Sequence, residues 1–261
     1  MLEHTFAICA YKESPYLETC ICSLKKQTVK SEIIMVTSTP CEYISNMADK
    51  YDIPLYIRKG EHDISSDWNY AYEKACTPYM TITHQDDVYL PEYTEHVIKE
   101  FHNSGKPLIF FSDYAEIRGN KVVRDNKLLR VKRIMLIPLR LRVLYSSKFV
   151  RRRILSFGSP ICCPSVAYAK DSLPEVIFQR GFRSNEDWEA WEQLSRLPGD
   201  FIYDRHILVY HRIHEDSETT SIINDNKRSD EDMKMYSKFW PKPIARLLVK
   251  AYAGGQKSNE L

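Results

Sequence analysis

Strand and helix patterns alternate through the first 110 residues of the chain, and this alternation constrains the fold more than any other feature. The short apolar runs at residues 6–10 and 79–83 have the length and composition of buried strands. Between them, apolar side chains recur at helical spacing, as in Leu17, Ile21 and Leu24. Strands that alternate with helices of about 10–15 residues predict an α/β fold, with a mostly parallel central sheet and helices on both faces.

The second half of the chain has a less regular pattern. Gly119-Asn120 predicts a hairpin, and further strands are predicted at 108–111, 115–118, 121–124, 165–169, 201–203 and 207–213. A helix is predicted at 186–194, and a polar loop from about 215 to 232. Trp188 and Trp191 share one face of that helix, which is typical of a core, although a sugar-stacking platform is the alternative.

Polar residues follow the predicted strands of the first half where a ligand would bind, since ligands of such sheets lie beyond the carboxyl ends of the strands. Tyr11 and Glu13 follow the first strand, Thr37 closes the second, and Asp86-Asp87 follows the fourth. The chain contains neither GxGxxG nor GxxxxGK[ST], which excludes the dinucleotide fingerprint and the P-loop.

Asp86-Asp87 is the clearest candidate for chemistry in the first half. Two adjacent carboxylates repel each other unless a cation or hydrogen bonds neutralise them. Mg²⁺ binds through one or two carboxylates and takes its remaining ligands from water and phosphate, so the pair suits a metal–diphosphate site. Capping of the helix that Pro91 opens is the alternative, because carboxylates favour the positive end of a helix.

A basic block occupies the middle of the chain. Residues 126–170 contain eleven Lys and Arg and no Asp or Glu, although the formal net charge of the whole chain is only +2. Apolar residues alternate with these bases, which is typical of an amphipathic segment attracted to anionic lipid. A pair of solvated helices is the equally weighted alternative. No aromatic stacking array or nucleic-acid reader motif is present, so no nucleic-acid partner is expected.

The cysteine pattern and the hydropathy favour a cytoplasmic protein. The seven cysteines form no CxxC or zinc-type spacing and are expected to be reduced, with Cys162-Cys163 as a possible reactive pair. The first residues lack the basic start and apolar run of a secretion signal. No stretch of about 18 uncharged apolar residues occurs, so no membrane-spanning helix is expected.

Five motifs in sequence order resemble the GT-A glycosyltransferases of family 2. They are a strand, loop and helix at 6–28, an asparagine-bearing helix at 65–75, Gln85-Asp86-Asp87, Glu186-Asp187 at a helix start, and Arg212-Ile213-His214 followed by Ser217 and Ser221. Two positions depart from the family pattern. The leading acid of Asp-x-Asp is missing, and Thr37-Ser38-Thr39 stands where many members carry an acidic residue.

The resemblance implies a GT-A fold with a Rossmann-like sheet, a basic helical insertion and a C-terminal tail. Residues 1–112 would form the nucleotide-sugar-binding half, 113–221 the acceptor-binding half with the basic segment 126–157, and 222–261 a helical tail. The implied donor-binding residues are Ala10, Tyr11, Glu13, Thr37, Asn69 and Asp86. The implied ligands of Mg²⁺ or Mn²⁺ are Asp87 and His214. Asp187 would be the general base, with Glu186 beside it.

The implied activity is an inverting, metal-dependent transfer of a sugar from a nucleotide-diphosphate donor, UDP in the first place. The acceptor would be a saccharide or lipid-linked saccharide of cell-surface polysaccharide synthesis. The basic block would hold the enzyme at the inner face of the cell membrane. Two rivals remain at this point: a nucleotidyltransferase, and a non-catalytic saccharide-binding or scaffold protein on the same fold.

Overall fold

The computed structural model describes residues 2–214 and 227–257, and these form an α/β structure around one nine-stranded sheet. The strands are β1 (His4–Cys9), β2 (Glu32–Thr37), β3 (Leu55–Ile57), β4 (Tyr79–His84), β5 (Val88–Tyr89), β6 (Pro107–Arg118), β7 (Lys121–Val123), β8 (Val166–Ala169) and β9 (Asp200–Ile213). The helices are α1 (Leu17–Lys25), α2 (Glu42–Tyr51), α3 (Ile64–Lys74), α4 (Tyr93–His102), α5 (Lys127–Met135), α6 (Lys148–Leu155), α7 (Glu186–Leu194), α8 (Lys227–Ser237) and α9 (Lys242–Lys257).

The first half has the predicted parallel arrangement. Strands β3, β2, β1 and β4 lie side by side in that order, and each neighbouring pair is parallel. Their residues are largely buried because helices cover the sheet, as expected of parallel strands. The carboxyl ends of β1, β2 and β4 consequently meet at one edge, where the predicted polar residues lie.

The second half extends the same sheet with mixed directions. Strand β8 is antiparallel to both β4 and β6, and so joins the two halves. Strands β6 and β9 run parallel along their length. Each of these two strands spans two segments that the sequence predicts as separate strands. The pairing continues past an irregular point because its register shifts around Asp113. The predicted hairpin at Gly119-Asn120 is confirmed, with Gly119 at a φ of +55°.

The basic segment 126–157 forms α5 and α6, with 3₁₀ turns between them. The predicted loop at 215–232 is wrong in its last part, because α8 begins at Lys227. Ser217 and Ser221 lie outside the described residues. Within 2–214 and 227–257, every helix is too short or too polar to cross a bilayer.

The two tryptophans of α7 are fully buried. Trp188 contacts Tyr236 of α8 edge to face at 5.0 Å between ring centroids, and its indole nitrogen donates to Leu155 O. Trp191 packs near Phe178 and Tyr168. The alternative of a sugar-stacking platform is therefore wrong, and both rings belong to the core that fixes the start of α7.

Candidate active site

One cleft of about 380 Å³ lies at the carboxyl edge of the first half, facing the start of α7. Its walls come from both halves of the sheet, so residues far apart in sequence share a single cavity. The predicted site residues that line it are Ala10, Tyr11, Thr37, Asp86, Glu186, Asp187 and His214.

Tyr11 forms an aromatic wall at the end of β1. Its ring stacks on His62 with the centroids 4.4 Å apart, and Lys12 lies over the same ring. Gln85 fixes the loop, because its side-chain oxygen accepts from Tyr11 N and its side-chain nitrogen donates to Tyr11 O, both at 3.0 Å. The Tyr11 ring is therefore held in a fixed position in the lining of the cleft.

A carboxylate that the sequence analysis missed lies beside the end of β2. Asp67 of α3 is paired with Arg58 at 2.5 Å, and it accepts a hydrogen bond from Ser38 at 2.8 Å. The acidic group absent from 37–39 thus reaches this place from a helix instead. No local pattern marks Asp67, because its position depends on how α3 packs against the sheet.

Asp86 is the carboxylate that faces the cleft. His214 Nε2 contacts its Oδ2 at 2.9 Å, and Arg212 Nε donates to its backbone oxygen. The Arg212 guanidinium lies 4.2 Å from the centroid of the Tyr16 ring. His214, a predicted metal ligand, therefore lies beside Asp86, although the group of close ligand atoms described below contains His84 and not His214.

Asp87, the other predicted metal ligand, is fully buried and does not itself line the cleft. Its Oδ1 accepts hydrogen bonds from Arg212 N and from His211 Nδ1, each at 2.9 Å. This carboxylate instead ties the end of β9 to the turn after β4.

Two groups of this cluster, Asp86 and His211, have shifted pKa values. Burial raises the pKa of Asp86, but the hydrogen bond from His214 and the nearby charges of His84, His211 and His214 lower it, and the net shift is downward. Burial lowers the pKa of His211, but the charge of Asp87 and its hydrogen bond raise it, and the net shift is upward. Both shifts favour charged groups at this edge.

The residues of this cluster fit a divalent cation. Ligand atoms of His84, Asp86 and Asp87 all lie within 4.8 Å of one another. Asp87 Oδ2 and His84 Nε2 are buried without a hydrogen-bond partner, as expected of atoms that a cation would satisfy. Carboxylate oxygens with an imidazole suit Mn²⁺, and carboxylates alone suit Mg²⁺. A second group, His96, Asp204 and His206, lies outside the cleft, and its two imidazoles already contact Asp204 at 2.6 Å each.

The predicted catalytic pair, Glu186 and Asp187, also lines the cleft. Glu186 is buried, and Asp187 is half-buried and accepts a hydrogen bond from Trp188 N at 2.6 Å. Cys162 and Cys163 line the cleft too, but burial raises the pKa of both thiols well above the usual range. The alternative of a reactive cysteine pair is therefore not supported.

Two predicted donor-binding residues lie elsewhere. Glu13 is exposed outside the cleft lining. Asn69 faces away from the cleft, and its side chain exchanges three hydrogen bonds with the backbone of Ile177 and Phe178. Asn69 therefore holds a crossing segment in place, and the prediction that it contacts the donor is not supported.

Parallel strands whose carboxyl ends border a cleft, with a carboxylate–histidine cluster and a second carboxylate pair beside it, match the arrangement expected from the resemblance to glycosyltransferases of the GT-A fold. The chain matches the family model described as "Glycosyl transferase family 2" over residues 5–178, about two thirds of its length. The chain belongs to this family. Glu186 and Asp187 lie beyond the matched residues.

Solved structures of glycosyltransferases share the fold. S. aureus TarS 1–349 in complex with UDP-GlcNAc is 13% identical, with a TM-score of 0.61 over 95% of this chain and 70% of that one. A longer S. aureus TarS structure, of which the chain covers 42%, has a TM-score of 0.52 and 14% identity. The mannosyltransferase PcManGT from Pyrobaculum calidifontis, in complex with GDP-Man and Mn²⁺, is 13% identical, with a TM-score of 0.60 over 96% and 69% of the two chains. No curated protein matches the chain.

Proposed function

We propose that this protein transfers a sugar, with inversion, from a nucleoside-diphosphate donor to a saccharide or lipid-linked saccharide acceptor in cell-surface polysaccharide synthesis. One observation carries the proposal: Asp86 and Asp187, which lie about a hundred residues apart in the sequence, line the same cleft. A displacement at an anomeric carbon needs a cationic environment for the departing diphosphate and a proton acceptor on the other side.

The donor nucleotide would occupy the end of the cleft near β1 and β2. Tyr11 offers a stacking surface for the base, and the Arg58–Asp67 pair offers polar contacts at its edge. The structural neighbours support a nucleotide sugar, since one is described with UDP-GlcNAc and another with GDP-Man. We place UDP first among the donors to be tested.

A divalent cation, Mn²⁺ or Mg²⁺, would be held by Asp86 from the cleft side and by Asp87 Oδ2 from beneath, with His84 as a nitrogen ligand. When bound, such an ion supplies positive charge that stabilises the leaving diphosphate. His214 positions Asp86 through its 2.9 Å contact. The likeness to PcManGT, which is described with Mn²⁺, supports this assignment.

Asp187 would accept the proton of the attacking acceptor hydroxyl. As the new bond forms from that oxygen to the anomeric carbon, the bond from the anomeric carbon to the diphosphate oxygen breaks on the opposite side. A single displacement of this kind inverts the anomeric configuration. Glu186, buried beside Asp187, would fix its orientation.

Nucleotide binding tests the proposal directly. A ligand that binds only the folded protein, at about a hundred times its Kd, stabilises it by about 2.7 kcal/mol. For a chain of this size, UDP with Mn²⁺ is therefore expected to raise the unfolding midpoint by roughly 5 °C in a thermal melt. This increase in the unfolding midpoint should be smaller when a chelator replaces Mn²⁺.

The same melt separates the rivals. The absence of a shift with UDP, GDP and other nucleoside diphosphates, with or without metal, would favour a scaffold protein. A panel of nucleotide sugars, scored for hydrolysis or transfer, then identifies the donor. Consumption of a nucleoside triphosphate without sugar transfer would favour a nucleotidyltransferase.

We also propose that the protein contacts an anionic membrane peripherally, from the cytoplasmic side. Large apolar side chains are exposed on and near the basic helices, namely Val131, Ile134, Ile137, Leu141, Val143, Phe149, Ile244 and Leu247. Arg153 of α6 lies 4.7 Å from the Trp240 ring, which precedes α9, so these two basic regions adjoin. Exposed Phe157 contacts the same ring and lies two residues before Ser159 of the cleft wall.

Vesicle co-sedimentation tests this contact. Phe149 and Val143 are 72% and 79% exposed, and membrane insertion of a Phe side chain is worth about 1.5–3 kcal/mol. The double variant Phe149→Ala with Val143→Ala is therefore expected to bind anionic vesicles at least tenfold more weakly, because each tenfold is about 1.4 kcal/mol. Binding should also weaken as salt rises.

Val122→Ala, at an exposed apolar position on β7, is the matched control and should bind as the wild type does. Equal partition of the wild type into neutral vesicles would remove the electrostatic part of this proposal. Failure to bind either kind of vesicle would remove all of it.

A further inference from the structure

Two buried carboxylates of α8 hold the loop that leads into α7. Glu231 and Asp232 are only 7% and 3% exposed, although both are acidic. Glu231 accepts hydrogen bonds from Arg183 N at 2.8 Å, from Ser184 N at 3.0 Å and from Ser184 Oγ at 2.7 Å. Asp232 accepts one from Asn185 Nδ2 at 2.9 Å. Three consecutive residues are thereby fixed directly before Glu186.

The N-terminus of α7 indicates independently that its position depends on α8. Asn185 occupies the N-cap position, where an Asn side chain usually accepts a hydrogen bond from the first turn of the helix. Here it makes no such bond, and its amide nitrogen donates to Asp232 instead. The helix start is therefore oriented by contact with α8 rather than by its own cap.

Packing reinforces the same contact from the apolar side. Tyr236 of α8 is buried against Trp188, one residue after Asp187, and its hydroxyl donates to Phe157 O at 3.2 Å. Charge-assisted hydrogen bonds are stronger than neutral ones, and burial removes competition from water. The position of residues 183–188 is thus set by a helix that lies more than 40 residues later in the chain.

We propose that Glu231 and Asp232 are positioning residues for sugar transfer, which hold residues 183–185 so that Asp187 faces the acceptor side of the cleft. This inference rests on the proposed function, because it assigns their effect to the base of that reaction. They do not touch the substrate themselves. A displacement of about 1 Å at a reacting group can cost roughly a hundredfold in rate, so loss of this support should reduce turnover more than binding.

Glu231→Gln is the most informative variant. Both oxygens of Glu231 accept hydrogen bonds, and a glutamine of the same shape keeps only one acceptor oxygen. We expect kcat to fall 10- to 100-fold, as the loop shifts. The donor KM and the stabilisation by UDP with Mn²⁺ should remain as in the wild type, because Asp86 and Tyr11 are unaffected.

Asp230→Asn is the matched control, since Asp230 is an exposed acid on the same helix, and it should leave kcat unchanged. Asp232→Asn keeps an acceptor oxygen for Asn185 and should lose less activity than Glu231→Gln. If Glu231→Gln does not fold, Ser184→Ala removes one of the same bonds with less disruption, and it should lower kcat while sparing the donor KM. All rates are compared well below the unfolding midpoint of each variant.

An unchanged kcat in folded Glu231→Gln, or in Ser184→Ala if that must replace it, overturns the inference. So does a parallel loss of kcat and of donor affinity, which would indicate general destabilisation. Either result leaves the proposed function intact if Asp187→Asn is inactive. If Asp187→Asn retains full activity, it is the assignment of the base that fails, and this result is distinct from the first two.

Discussion

Asp187→Asn is expected to lower the rate of sugar transfer by roughly 10²–10⁴, the usual contribution of a positioned general base. Asparagine retains the shape of the side chain and can still accept the hydrogen bond from Trp188 N, but it cannot take a proton from the acceptor. The unfolding midpoint should therefore change little. Stabilisation by UDP with Mn²⁺ should also persist, since Asp187 is not among the proposed donor-binding residues.

Asp49→Asn, an exposed position on α2, is the control for removal of a negative charge and should keep full activity. A rate within threefold of the wild type in Asp187→Asn would contradict the assignment and direct attention to Glu186. Loss of nucleotide binding in the same variant would instead indicate that Asp187 lies in the part of the cleft that binds the donor.

Asp86→Asn is expected to remove the metal-dependent part of donor binding and to lower kcat/KM by about a hundredfold or more, because a bound cation stabilises a leaving diphosphate by several kcal/mol. Asp86 is the carboxylate exposed to the cleft, so its loss should directly weaken binding of the cation. Thermal melts with UDP should then be the same with and without Mn²⁺.

Asp87→Ala provides the contrast. It removes a fully buried carboxylate and leaves its two donors, Arg212 N and His211 Nδ1, without their acceptor, so we expect a loss of stability of roughly 3 kcal/mol. Because Asp87 is also a proposed ligand, Asp87→Asn should weaken the response to Mn²⁺ as well. If Asp86→Asn preserves that response, the assignment of Asp86 as a ligand is wrong.

The sequence was sufficient for features that depend on local pattern. Alternating strand and helix segments identified the parallel half, and the polar residues after β1, β2 and β4 did meet at one edge of the sheet. Apolar spacing also indicated that Trp188 and Trp191 belong to the core. Each of these features follows from the spacing at which apolar residues recur along the chain, or from the rule that the carboxyl ends of parallel strands lie at the same edge of a sheet.

The sequence did not reveal which carboxylate of the pair Asp86-Asp87 faces the cleft. That choice depends on β9, whose backbone at Arg212 reaches Asp87 from 125 residues away. The carboxylate of Asp67 was missed for a similar reason, since it replaces an expected acid of the strand end through packing of α3. The contact of α8 with residues 183–185 was hidden because the polar composition of 215–232 favoured a loop.

Strand β9 has a consequence for how the molecule can move. It pairs with β6 along the second half, and through Arg212 and His214 it is also bonded to the acid pair of the first half. A hinge motion that separates the two halves would therefore have to break one of these two sets of hydrogen bonds. We consequently expect ligands to reach and leave the cleft by movement of the connecting segments that border it, and tethering those segments should slow ligand exchange more than a constraint placed between the halves.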